Sequence, residues 1–594
     1  MFSYLQTMQN LLDGATRSLF LNVYAPQVVA VPPSDASRSV CVTKDGEIRI
    51  YGVTGKKEPD DAGQLVYISS RDCGLSWKTV PVTDDRVLGV AGYNPASGRY
   101  IAAYPNEYRR GWVNPSCVGG TWAVLNDSGY DGVENRWVKI SDTIIHILKT
   151  PKYYHEIGRW LILGQCPDSA GITHPVVCTS DDDGETWAVH IIEATAPRHE
   201  IKPPHKSARW QQDSCEPSVS VLSDGSLLMH VRTSQDFHYE YRSTDRGDTW
   251  SDPRPTVFHG TITMPILQKL SDGRILFFWC NTQPMPELDH TNDFPALNEG
   301  EVHGKWEDVF TNRDANHLAI SADDGKTWQG FRELYLNGLR NRADFRSVGG
   351  VDSRDKSVHQ AEILELPYNK ILVCFGQNVS ARKVVLLDLD WLYETEREET
   401  FRFGLDNVTT HMFVKSNLGN YRGFSGHCAY NRTNGALLVP SPDGDFREVL
   451  QICRTDDPRL AYPKQGMVWN FPAAHTGSVT VSLRVLSSGV RICLCNHWYN
   501  ACDETVGEEA PFVLDVTETP DTWTAITFAF DTAAGICSVS GVGDQTKTLV
   551  MRGDAPYGLC YLHIQTLATY ADFDGTLIRS MDMHATNTST QETT

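Results

Sequence analysis

The chain lacks any apolar run long enough to cross a bilayer as a helix, so membrane insertion is not expected. Its first stretch, MFSYLQTMQNLLDGATRSLF, lacks the charged start, apolar middle and small-residue cleavage site of a secretory leader. The expectation is a cytoplasmic protein, or a secreted one if a leader has been removed. Positive charge is in short supply: 53 Lys and Arg face 74 Asp and Glu, a formal net charge of −21. A field of that sign repels nucleic acid and anionic lipid, and admits an acidic small ligand only where arginines cluster. The 15 cysteines are odd in number and lack disulfide-scaffold spacing, which favours mostly free, buried thiols. In CLCNHWYNAC (493–502), Cys493 and Cys495 stand two apart in an alternating run, so a shared strand face is a simpler reading than a metal cluster. No calcium loop of recognisable spacing occurs, and neither metal nor other cofactor is expected.

What the chain does contain is a repeat. SRDCGLSW (70–77), SDDDGETW (180–187), STDRGDTW (243–250) and SADDGKTW (321–328) share Ser, Asp, Gly and Trp at fixed offsets, and each follows a short β-type run. Asp bonds the local backbone, Gly supplies positive φ, Ser or Thr adds a second bond, and Trp opens the next strand and packs back over the turn. The repeat starts are 110, 63 and 78 residues apart, and the first gap has room for a unit whose corner has lost the pattern. Short strands, Gly-rich turns and repeats of this size point to four-stranded propeller blades. KDG (44–46) and SDG (223–225 and 272–274) supply further hairpins. At roughly 60 residues per blade, residues 1–398 accommodate six. LDLDWLYETEREE (387–399) is the first segment read as a short turn of helix.

Residues 399–594 change character: GSVTVSLRVL, VRICLC, TWTAITFAFDTAAGICSVSG and GLCYLHIQT alternate without the octapeptide. That is the pattern of an antiparallel β-sandwich, for which about 190 residues is a comfortable size. The expected fold class is therefore all-β, a six-bladed β-propeller followed by a concanavalin-like jelly-roll sandwich.

The four octapeptides match the Asp-box, S-x-D-x-G-x-T-W, and the chain resembles the sialidase superfamily of six-bladed propellers in an atypical form. Asp-boxes in that family lie away from the active site, so the resemblance assigns chemistry through other positions. CEPSVSVLSDGSLLMHVR (215–232) is similar to the segment supplying a catalytic Glu and an arginine, which implies Glu216 as base and Arg232 as a carboxylate ligand. RDANHLAIS (313–321) resembles the strand carrying another such arginine and nominates Arg313. A guanidinium fork matches a planar carboxylate, and several together outweigh the repulsion of an acidic protein. The family's opening Phe-Arg-Ile-Pro is missing; Arg38 in ASRSVCVTKDG is its stand-in. The acid/base Asp would be Asp61, or Asp60, in EPDDAGQLVYISS (58–70). Where the family keeps a nucleophilic Tyr, KSVHQAEILELPYNKILVCFGQ (356–377) has His359, while Tyr368 falls in a turn facing the wrong way. His359 would act as a base on water or hold the sugar. Gln360, Arg342, Arg340, Glu362, His174 and the RHE of 198–200 are secondary candidates.

The resemblance implies an exo-glycoside hydrolase that removes a terminal acidic sugar, either sialic acid or another 2-keto or uronic acid, from a glycan partner. Two rivals stand beside it: a polysaccharide lyase on uronate-containing glycan, and a carbohydrate-binding propeller without catalysis. The sandwich resembles the lectin-like or laminin-G-like domains attached to sialidases, with Trp498 and Tyr499 as candidate sugar-stacking residues unless the core claims them.

Overall fold

The computed structural model describes residues 3–33, 39–54, 63–84, 86–105, 119–147, 149–198, 213–260, 262–282, 313–338, 340–341, 358–376, 381–413, 432–460 and 462–586. Six antiparallel ladders, five of four strands and one of five, follow one another along the first part of the chain and form the blades of a propeller. Blade one runs from Cys41–Val42 to Lys78–Pro81, blade two from Gly92–Asn94 to Arg136–Ser141, and blade three ends in Ala188–Ile191. Blade four is Cys215–Val221, Leu227–Arg232, Phe237–Ser243 and Arg254–His259; blade five is Ile266–Lys269, Ile275–Trp279, Ala315–Ser321 and Gln329–Leu336. Blade six is closed by the chain's start: Gln27–Ala30 pairs with Lys383–Asp388 as the outermost strand beside Lys370–Phe375 and Ala361–Leu366. Joining first and last segments in one sheet removes the open edge that a linear array would leave.

The second strand of a blade is sandwiched between its neighbours, and its sequence shows this. Ile275–Trp279 and Leu227–Arg232 are buried at every position, whereas the outer strand Lys78–Pro81 is mostly exposed. Strands covered on both faces read as continuous apolar runs rather than alternating ones.

All four octapeptides connect a third strand to a fourth and close in the same way. In the box at 321–328, Ser321 Oγ donates to Asp323 Oδ1 at 2.8 Å, and the Gly325 amide donates to Ser321 Oγ at 2.9 Å. Thr327 donates to Asp323 through both its amide (2.8 Å) and its hydroxyl (2.6 Å), and Trp328 Nε1 donates to the Gly325 carbonyl at 3.1 Å. Asp324 and Gly325 both have positive φ, 61° and 76°, so the corner needs two consecutive left-handed residues and the second is Gly in every copy. The residue before the Gly also ties blades together: Asp324 accepts from the Ser223 amide at 2.9 Å, and Asp183 from Asn94 Nδ2 at 2.8 Å.

Two helices at the start, Ser3–Leu11 and Gly14–Leu21, were not expected from the sequence. Asp13 caps the second by accepting from the Thr16 amide at 2.8 Å, and Met8, Leu12 and Phe20 are the residues they bury, against Leu366 and Leu372 of blade six. The pair is short and polar on most faces, which hides it from a periodicity search; tertiary burial stabilises it. The segment at 387–399 does contain a single 3-10 turn, Leu389–Tyr393.

From Glu396–Glu399 onward the strands form a sandwich. An eight-stranded sheet centred on Thr476–Val485 and Asp572–Ala585 faces a five-stranded sheet centred on Gly466–Ala474 and Leu559–Thr566. Its core alternates along each strand: Val479, Val481 and Leu483 are buried with Ile526, Phe528 and Phe530 opposite. The five-stranded sheet packs its other face on blade five. Trp498 (0% exposed) and Tyr499 (2%) lie in that contact with Phe277, Trp279 and Phe331, so they join the propeller and sandwich and are unavailable to a sugar. Phe331 stacks on Tyr557 at 3.7 Å and His259 on His497 at 3.7 Å across the same boundary.

A polar chain runs through this contact. The Asn281 amide donates to His317 Nδ1 at 3.0 Å, which leaves the proton of the neutral ring on Nε2, facing Tyr561 Oη. Tyr561 Oη donates to Glu333 Oε1 at 3.1 Å. Burial pulls the His317 ring down to about 3 and pushes the Glu333 carboxyl up to about 7. The thirteen described cysteines are all buried.

Candidate functional site

In each blade the inner strand begins at one end of the propeller and the third strand ends at the other. The octapeptide corners therefore lie at the face opposite the starts of the inner strands. Glu216 and Gln360 stand at the latter face: Glu216 is the second residue of Cys215–Val221, and Gln360 immediately precedes Ala361–Leu366. Arg232 reaches the same face as the last residue of Leu227–Arg232, and Arg313 stands two residues ahead of Ala315–Ser321.

The local fold aims Glu216 by interrupting the ladder. Cys215 pairs with Arg232 and Ser218 with His230, so two residues, Glu216 and Pro217, oppose Val231 alone. Pro217 has no amide to contribute, which suits a bulge, and Glu216 takes φ of 50°. Gln360 has φ of 64°. Left-handed conformation in a non-glycine residue costs about 1–3 kcal/mol and persists where surrounding contacts hold it. Those contacts are present: the Glu216 amide donates to Gln165 Oε1 at 2.7 Å, and the Gly376 amide donates to the carbonyls of His359 and Gln360 at 3.3 and 3.2 Å.

The carboxylate of Glu216 (6% exposed) accepts from Arg232 Nη1 at 3.2 Å and from Gln360 Nε2 at 3.5 Å. Residues from blades four and six thus converge on one carboxylate. Arg313 (1% exposed) belongs to the same electrostatic neighbourhood: its charge, with those of Arg232, Glu216 and Asp213, acts on the Cys215 thiol, which burial pushes far up. The Arg313 carbonyl accepts from the Val358 amide at 2.7 Å, linking blade five to the segment carrying His359 and Gln360. Behind Arg232 sits His238, held neutral by burial, its ring pulled down to about 3. Its Nε2 lies 3.2 Å from Thr263 Oγ1.

His359 is fully enclosed, with 0% of its surface exposed, while its neighbour Gln360 makes the contact to Glu216. Arg340 lies apart from the site. It donates to the carbonyls of Leu405, Asp406 and Val408, at 2.7, 2.5 and 2.6 Å, and pins the segment that enters the sandwich. His174 spans the Ile192 carbonyl (3.0 Å) and Asp168 (3.5 Å), and Arg198 pairs with Asp213 at 2.9 Å; both brace loops of blade three and its exit. Tyr368 sits in the opposite hairpin, 5.0 Å from the Arg17 guanidinium. Arg38, Asp60, Asp61, Arg342, His199 and Glu200 lie outside the described residues.

The sequence reading missed Lys149, Lys152 and Gln165. Lys149 and Lys152 bracket the entry to the inner strand of blade three, and Lys149 Nζ donates to the Pro265 carbonyl at 3.1 Å. Lys152 Nζ donates to Gln268 Oε1 at 2.8 Å. The signal available was KTPKYY (149–154), two lysines spaced across a strand start, which resembles any solvated strand end. Among the described residues no group of three His, Cys, Asp or Glu is placed to hold a metal ion, and no helix is long and apolar enough to cross a membrane.

Residues 133–338, from the end of blade two through blade five, match the BNR repeat-like domain family. The match covers the central blades of the six-bladed propeller and none of the appended β-sandwich. No curated protein matches it. Among solved structures, an unknown function protein from Dyadobacter fermentans DSM 18053 shares 15% identity at a TM-score of 0.34, over 61% of this chain and 96% of that one. Trypanosoma rangeli sialidase shares 13% identity at a TM-score of 0.34, over 95% and 92%. The same sialidase in complex with sialic acid shares 12% at 0.32, again over 95% and 92%. Scores this low carry no argument about activity, and the architecture stands on the strand ladders themselves.

Proposed function

We propose that the chain is a sialidase-like exo-glycoside hydrolase acting on a terminal acidic sugar, with the site at the inner-strand starts of blades four to six. The observation that carries this reading is the convergence on Glu216: a strained, bulge-borne carboxylate bonded to Arg232 and Gln360, with Arg313 acting on the same adjoining Cys215. In this reading the two arginines receive the sugar carboxylate, and Arg232 exchanges its bond to Glu216 for the ligand. Released from that bond, Glu216 acts as base toward the nucleophile or water. Neighbouring carboxylates stabilise the oxocarbenium-like transition state, the usual source of rate in such sites. His359 would stand behind Gln360 as a positioning group, and Arg38, Arg342 and the acid Asp61 would complete the set.

The test is release of free sugar from glycans ending in sialic acid, other 2-keto acids or uronates, by wild type and Glu216→Gln. Release of one acidic sugar by wild type alone supports the reading. An unsaturated, ultraviolet-absorbing product would instead establish a lyase. Binding without release by both proteins would establish a carbohydrate-binding propeller.

A further inference from the structure

Gln360 carries an atom that the hydrolysis as described leaves idle. The residue is 7% exposed; its Nε2 donates to Glu216 Oε1 at 3.5 Å, and its buried Oε1 has no donor among the described residues. The carboxylate sets the orientation of this amide, because an N–H facing Glu216 is attracted and a carbonyl oxygen in its place would be repelled. Nε2 therefore takes the position against Glu216 and Oε1 is left over. A buried acceptor without a donor costs about 1–3 kcal/mol. The backbone adds to this, since Gln360 takes φ of 64° and is held there by the Gly376 amide, which donates to its carbonyl at 3.2 Å. Two such costs at one residue beside the proposed base mark a place kept for a hydrogen-bond donor.

Geometry limits what that donor is. The oxygen and nitrogen of a primary amide are about 2.2 Å apart, so the 3.5 Å contact keeps Gln360 Oε1 within about 5.7 Å of Glu216 Oε1. Two O–H···O bonds of up to about 3 Å each span that gap from a single oxygen. A water molecule has two protons to give, one to each acceptor, and keeps a lone pair directed away from both. A ligand hydroxyl has one proton and satisfies only one of them. The neighbouring residue points the same way. His359 stands where the resemblance places a nucleophilic tyrosine, and its ring is fully enclosed, with no open surface from which to reach an anomeric carbon. Glu362, two residues beyond Gln360, belongs to a different set: the charges acting on it are those of Lys152 and Lys149.

We propose that Gln360 is a further catalytic residue that holds the attacking water against Glu216, so that the acidic sugar leaves by single displacement with inversion at the anomeric carbon. The inference rests on the acidic-sugar reading of the site and specifies its nucleophile. Once Arg232 has turned to the ligand carboxylate, Glu216 takes a proton from the water. The water oxygen bonds to the anomeric carbon as the glycosidic C–O bond breaks, and the departing oxygen is protonated by the acid of the site. Glu216 then returns its proton to solvent and the acid regains one, so water is the only co-reactant.

The experiment incubates wild type, Gln360→Met and Gln360→Glu with aryl glycosides of N-acetylneuraminate, of a 2-keto-3-deoxy sugar acid and of glucuronate. Proton NMR reads the first-formed anomer before mutarotation, and release of the aryl group gives kcat and KM. Wild type is expected to release the sugar with its anomeric configuration inverted. Gln360→Met keeps the length and removes the acceptor, and should lose kcat by roughly a hundredfold with little change in KM. Gln360→Glu keeps an oxygen for the water but sets a second carboxylate beside Glu216. It should recover part of that loss, with the acid limb of its pH profile moved up by about one unit or more. Purely structural damage would not move that limb. Thermal unfolding within a few degrees of wild type certifies each variant as folded. Gln360→Asn, which suits the left-handed backbone and withdraws the amide by one methylene, replaces Gln360→Met if that variant does not fold, and should lose kcat in the same way. Retention of configuration, or wild-type kcat in a folded Met or Asn variant, overturns the water-holding role and leaves the acidic-sugar hydrolase standing. If wild type releases sugar from none of these glycosides, the reading of the site falls and the role of Gln360 with it.

Discussion

Glu333 offers a quantitative test of the contact between propeller and sandwich. Its carboxyl accepts from Tyr561 Oη at 3.1 Å, its side chain is 4% exposed, and burial raises it from 4.5 to about 7, with Arg397, Arg340 and Tyr561 opposing. The folded protein therefore binds this proton more tightly than the unfolded chain. The associated stability is fully present below the unfolded value near 4.5 and is lost as pH rises through about 7. At about 1.4 kcal/mol per decade, ionising Glu333 in place removes about 3 kcal/mol between acid and mildly alkaline solution. Glu333→Gln keeps the size and an acceptor for Tyr561 while removing the titration. Denaturant midpoints for wild type and Glu333→Gln, measured at about pH 5.5 and about pH 8.5, isolate the residue because every other group is common to both. The variant should gain on wild type by about 2 kcal/mol between the two conditions. Parallel pH profiles would refute the claim that this carboxyl is protonated in the folded contact, and with it the direction of the Asn281–His317–Tyr561–Glu333 chain.

The other expectations are more compact. Asp323→Ala removes bonds from Ser321 and from the amide and hydroxyl of Thr327 in a half-exposed corner, and should cost about 1–2 kcal/mol in chemical unfolding without altering ligand binding at the opposite face; a loss below a few tenths would mean the box does not hold the corner. His238 and His317 are buried neutral at about 3, and His563 at about 4, so folded-state stability is complete above the usual histidine value of 6.5 and falls as pH drops below it. Tryptophan fluorescence should report loss of the native contact on acidification, starting below about pH 6, and an unchanged signal to pH 4 would contradict the burial of these rings. Glu216→Gln should abolish sugar release while leaving unfolding temperature within a few degrees; Arg232→Lys, which cannot form the guanidinium fork, should weaken acid binding by roughly tenfold or more, and full retention would remove Arg232 from the ligand set.

The propeller was legible because its signal is local. Asp72, Asp182, Asp245 and Asp323 close their corners with bonds reaching no more than four residues along the chain, so eight residues carry the whole device. Continuous apolar runs such as Ile275–Trp279 mark strands covered on both faces. The same logic explains the omission of the two starting helices, whose buried face of Met8, Leu12 and Phe20 has meaning only once blade six is in place. Trp498 and Tyr499 read as core residues more readily than as sugar platforms, and docking of the sandwich on blade five is what buries them.

For the site, Glu216, Arg232, Arg313 and Gln360 were named from short motifs around them, while Lys149 and Lys152 carried no motif at all. Glu216 and Gln360 are 144 positions apart, and Lys149 and Pro265 are 116 apart. Such pairs meet because successive blades turn about one axis and bring the starts of their inner strands together, a relation fixed by sheet packing and invisible to any window of sequence. By itself the sequence determined the blades, because corner chemistry and strand burial are written in neighbouring residues. Tertiary structure alone decided which charges share the channel, which rings are sealed between the domains, and that the first strand of the chain closes the last blade.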